Sequence, residues 1–130
     1  MKRLTLATLT IALMTTGVAF ADPVLGVWKT KPDDNGHYGH IQISKCGEMI
    51  CGFIGKAYDA SGKQIESEHV GKRMIWQMRS DGGGSYSGGK IWAPDRDKTY
   101  TSYMTLTGDN LKVEGCVFGI CRGQTWTRIR

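Results

Sequence analysis

The sequence contains no basic run longer than two residues, no Cys-x-x-Cys pair, and no apolar stretch long enough to cross a bilayer. Nucleic-acid binding calls for a clustered basic patch, so the first absence argues against it. The second excludes the usual redox motif. The third leaves no transmembrane helix, because Leu4 to Val18 is too short and wrongly flanked. Helix-length periodicity is also missing, which argues against a helical domain.

The uncharged stretch Leu4 to Val18 follows the basic Met1-Lys2-Arg3 and precedes Ala19-Phe20-Ala21. Positive, apolar and small-x-small segments in that order form a secretory signal peptide. Residues 1–21 are therefore expected to be removed after Ala21, giving a periplasmic chain with no stable membrane span. The first cysteine is Cys46, so no lipid-modified cysteine is expected at the cleavage point. Residues 22–130, about 109 in number, suit one domain with a modest core. Without Lys2 and Arg3, the 17 basic residues fall to fifteen against twelve acidic ones, a charge near +3.

The four cysteines form two Cys-x4-Cys pairs, Cys46/Cys51 and Cys116/Cys121. An even number in an exported chain favours disulfides over zinc. Of the three possible connectivities, the repeated short spacing favours the local one.

Glycine is plentiful, at 18 residues, and short alternating runs lie between turn residues. Eight strands are expected, at about 25–31, 37–46, 49–58, 72–79, 84–92, 98–106, 109–117 and 121–130. Residues 59–71 form the longest connection, either a short helix or a mobile loop. Successive strands joined by tight turns imply an all-β, small, antiparallel up-and-down barrel, because closure removes exposed strand edges. Period-2 alternation puts Met74, Trp76 and Met78 on one face of their strand. These three are the candidate ligand-lining residues, since methionine adapts its shape and tryptophan supplies area with a polar handle.

Catalytic and metal motifs are scarce. Gly84-Ser85-Tyr86-Ser87-Gly88-Gly89-Lys90 approaches a phosphate-binding loop, but Ile91 replaces the hydroxyl residue and a strand follows where a helix should. Neither Ser85 nor Ser87 has the glycines of a nucleophile elbow. His37 and His40 are three apart on a strand and face opposite sides, which is poor for one metal ion. His69 lies in the long connection. Asp95 and Asp97 flank a turn beside Arg96 and Lys98 and read as solvated charges. No enzyme, cofactor or metal is expected.

Gly26-Val27-Trp28, Cys46-Gly47, Cys51-Gly52, Trp92-Ala93-Pro94-Asp95, Leu111 to Cys116 and Thr125-Trp126-Thr127-Arg128 occur in order along the chain. Together they resemble the exported bacterial family DUF2147, over essentially all of residues 22–130. The family carries an Asn-Pro-Asp-like stretch and an Arg-rich segment in the middle, where this chain has Ser67-Glu68-His69-Val70-Gly71-Lys72-Arg73. A pocket beside that segment would have its own chemistry here. The resemblance implies a lipocalin-like barrel and a binding role. Independently, a Gly-x-Trp near the first strand and an arginine near the last match the lipocalin pattern. Arg128 over Trp28 would close such a barrel, contributing about 0.5–2 kcal/mol. The expected partner is a small hydrophobic ligand; the alternative is a structural or interaction module that contacts an envelope protein.

Overall fold

The structure is a computed structural model describing Arg3, residues 5–12 and residues 21–130. Most of the expected signal peptide, including Ala19 and Phe20 of its cleavage motif, lies outside the described residues. Residues 5–12 have no regular secondary structure, with Leu6, Leu9 and Ile11 exposed. Among the described residues no helix is long and apolar enough to cross a membrane.

The strands are β1 (Gly26–Lys29), β2 (Tyr38–Cys46), β3 (Met49–Tyr58), β4 (Gln64–Ile65), β5 (Arg73–Gly82), β6 (Ser85–Ala93), β7 (Lys98–Thr107), β8 (Asn110–Val117) and β9 (Ile120–Arg128). Eight of them close an antiparallel barrel in the order β2-β1-β9-β8-β7-β6-β5-β3, sealed by the β2–β3 pairing. The expected strands and turns correspond to these eight. The connection 59–71 holds no helix and carries the two-residue β4, which pairs with the end of β3 through Ala57↔Ile65 and Tyr58↔Gln64.

Alternate residues turn inward, as period-2 geometry requires. Trp28, Ile41, Ile43, Ile50, Met104, Leu111 and Trp126 are all fully buried in one continuous core. Tight turns set the strand register. Gly84 has a φ of 84°, and a Cβ there would lie 2.6 Å from the Leu106 carbonyl oxygen, so only glycine fits.

Residues 22–25 cross the end of the barrel where β1 begins. Val24 is fully buried and its carbonyl accepts the Trp28 indole N–H at 2.9 Å. The Arg128 guanidinium lies 4.4 Å from the centre of the Trp28 ring. It donates to the carbonyls of Pro23 and Leu25 and pairs with Asp109 at 3.2 Å. The Tyr86 hydroxyl donates to the Asp22 carboxylate at 2.6 Å. Burial, and then that bond, push the Tyr86 hydroxyl far above the ordinary phenol range.

Cys46 is bonded to Cys51 and Cys116 to Cys121. The first bond spans the β2–β3 turn and the second the β8–β9 turn, at opposite ends of the barrel. Each closes a loop of a few residues, which constrains the unfolded chain by only about 2 kcal/mol. Reduction is therefore expected to lower the melting temperature while leaving one cooperative transition, checked by calorimetry with and without reductant. Loss of the transition on reduction would show that the disulfides carry the fold.

Candidate functional site

The structure separates the three residues expected to share a face. Met78 is fully buried in the core, Met74 is half-buried against it, and Trp76 is half-buried on the opposite side of the strand from Ile75. The cause is a bulge. Ile50 pairs with Met78 and Gly52 with Ile75, so two steps on β3 oppose three on β5. Gln77 is the extra residue, in left-handed backbone at φ 55°. One inserted residue inverts the alternation beyond it. Ile75 and Met78 therefore face inward, and Met74, Trp76 and Met78 do not form one continuous stripe.

Trp76 instead helps form a groove on the outer wall. An open depression of about 340 Å³ is lined by Lys72, Arg73, Trp76 and Trp92. Trp76 pairs across the sheet with Lys90, and Ile75 with Ile91, so Trp76 sits on the face opposite those inward isoleucines, while Trp92, near the end of β6, is half-buried and also packs against the core. The Arg73 guanidinium lies 4.6 Å from the Trp76 ring centre, and the Lys72 ammonium 5.5 Å from that of Trp92. Among the described residues neither cation is ion-paired.

Local backbone bonds hold these groups in place. Ile54 donates to the Lys72 carbonyl at 3.0 Å and accepts from Gly71 at 2.7 Å, tying the segment before β5 to β3. The Trp92 indole N–H donates to Asp97 at 2.8 Å, which fixes its ring. His69 meets Trp92 edge-on, with centroids 5.5 Å apart, and its Nδ1 is buried without a hydrogen-bond partner among the described residues. The groove thus offers two indole rings and two cations without ion-pair partners among the described residues, with His69 packed behind Trp92. That set suits a flat or apolar group bearing negative charge.

A second, more polar depression of about 610 Å³ lies beside β4, bordered by Lys56, Gln64, Glu66, Glu68 and Val70. His40 belongs to another outer cluster, its ring tilted against Tyr58 with centroids 4.5 Å apart, with Lys29 4.3 Å from the Tyr38 ring. Burial first, then the charges of Lys56, Lys29 and Arg130, lower the His40 pKa. Glu114, Cys116 and Cys121 are near enough to share a metal ion, but both sulfurs are committed to a disulfide.

The residues missed by period-2 reasoning are His69, Lys72, Arg73 and Trp92. The signal available was the adjacent Lys72-Arg73 pair, four and three residues ahead of Trp76, within the segment that departs from the family pattern.

A closed eight-stranded antiparallel barrel with an arginine over the tryptophan of a Gly-x-Trp is a lipocalin-like barrel. It is similar to a solved structure of a protein from the human pathogen Helicobacter pylori described as belonging to the lipocalin family. The TM-score is 0.63 at 15% identity, covering 82% of each chain. The family profile for DUF2147, described as an uncharacterized protein conserved in bacteria, matches residues 26–128, and the chain belongs to that family. No curated protein sequence matches it significantly.

Proposed function

We propose that this domain is an exported, non-enzymatic binding protein of the bacterial envelope that holds a small, partly apolar, negatively charged molecule between Trp76 and Trp92. The carrying observation is the pair of unpaired cations, Lys72 and Arg73, each over an indole that borders an open groove. A lipocalin-like fold is compatible with small-ligand binding, although fold by itself does not define function. The two disulfides are compatible with an oxidising compartment. The sequence offers no set of nucleophile, base and orienter, which supports binding rather than catalysis.

The reading differs from a carrier with an internal cavity, because large side chains fill the barrel interior. That filling favours a second reading, in which the groove takes an apolar, acidic segment of an envelope protein. Fluorescence titration with fatty acids and isoprenyl phosphates separates the two, together with native mass spectrometry of the isolated protein. Binding is expected to change the Trp76 signal, and Trp76→Phe to abolish that change. Arg73→Ala is expected to weaken binding by about tenfold, since it removes a charge-assisted contact. No bound molecule and no fluorescence response would replace this reading with the second.

A further inference from the structure

The β8–β9 hairpin ends in Val117-Phe118-Gly119-Ile120. Phe118 and Gly119 both have left-handed backbone, at φ 51° and 76°. A two-residue turn of this kind is normally filled by asparagine or aspartate followed by glycine. A phenylalanine in that conformation is strained, because its Cβ crowds the backbone carbonyl. The same residue is 98% exposed, and its neighbours Ile120 and Val117 are 66% and 46% exposed. The turn therefore combines strain with bare apolar surface, and Phe118 is not part of the core. Strain that the fold does not use is a sign of function.

Three further observations indicate what the tip meets. Cys116 and Cys121 are bonded directly behind it, so the tip is held in one shape. β9 pairs with β1 only through Thr127 and Arg128, and residues 120–125 are all exposed, so this part of the hairpin stands free of β1. Lys112 is paired with Glu114 and Arg128 with Asp109, and Arg122, next to the tip, has no ion-pair partner among the described residues. A convex apolar tip, bare on every side and backed by a cation, fits a fluid apolar layer with anionic headgroups better than a pocket with fixed walls.

We propose that Val117, Phe118 and Ile120 insert into the interfacial layer of a phospholipid bilayer, with Arg122 at the level of its anionic headgroups. Three side chains give weak, reversible binding by themselves, so attraction to anionic lipid is needed for stable attachment. The net charge of residues 22–130, near +3 with fifteen basic residues against twelve acidic ones, has the matching sign.

The test is co-sedimentation of the protein with vesicles of mixed phosphatidylglycerol and phosphatidylcholine, and with vesicles of phosphatidylcholine alone. Binding is expected to the mixed vesicles, and to fall with added salt. Phe118→Asn is expected to reduce it by about tenfold, through loss of buried apolar area. The same change leaves the melting temperature equal or higher, because asparagine accepts left-handed backbone. A Phe118→Trp chain localises the tip: its added indole is expected to be quenched by brominated phosphatidylcholine beyond the quenching of the unaltered chain. Undiminished binding by Phe118→Asn, or no added quenching, would overturn the proposal. Absence of binding to either vesicle would also overturn it and direct the tip to a protein partner.

Discussion

Trp28→Ala is expected to destabilise the domain by about 3–5 kcal/mol, the range for truncating a large buried aromatic. The indole is fully buried, donates its N–H to the Val24 carbonyl and carries the Arg128 guanidinium on its face. Truncation would leave a cavity at the barrel end, an unpaired carbonyl and a guanidinium without its platform. Arg128→Ala should cost less, because its side chain is partly exposed and its contacts are mostly to carbonyls and to the exposed Asp109. The two losses should not add, since the residues touch. Urea unfolding of both single variants and the double variant measures the coupling. A cycle with no coupling would reject the stacking as an energetic contact while leaving the barrel in place.

Met78→Ala and Trp76→Ala form the second large contrast. Met78 is fully buried, so its truncation should cost about 2–5 kcal/mol. Trp76 is only half-buried on the outer wall and its loss leaves no enclosed cavity, so truncation should cost less, about 1 kcal/mol. The larger residue thus gives the smaller effect, an ordering that follows from the bulge at Gln77. Denaturation midpoints of the two variants decide it. Comparable large losses would mean that both side chains face the core and that the groove reading is wrong.

Much of the fold was legible along the chain because its determinants are local. Alternation in Ile41/Ile43, Met104/Leu106 and Leu111/Val113 marks strands whose inner faces the structure buries or half-buries. Asp33-Asp34-Asn35-Gly36 and Gly108-Asp109-Asn110 mark turns for the same reason. Up-and-down topology follows when every connection is short. The groove was not legible in this way. Period-2 alternation puts Trp76 on one face with Met74 and Met78, but one residue in left-handed backbone shifts that alternation without leaving a sequence signal. Gln77 is neither glycine nor asparagine, the residues that usually announce such a bulge. Trp92 lies sixteen positions away, and cross-strand pairing of β5 with β6 alone brings it beside Lys72 and Arg73.

Sequence by itself determined the strand-and-turn order, the Cys-x4-Cys pairs and the Gly-x-Trp and arginine at the two ends of the domain. Each depends on residues close in the chain or on composition. Tertiary structure decided which face of β5 is inside, that side chains fill the barrel, and that Lys72, Arg73, Trp76 and Trp92 converge. Those outcomes depend on register between strands, and register is set by backbone hydrogen bonds and packed volume across the sheet.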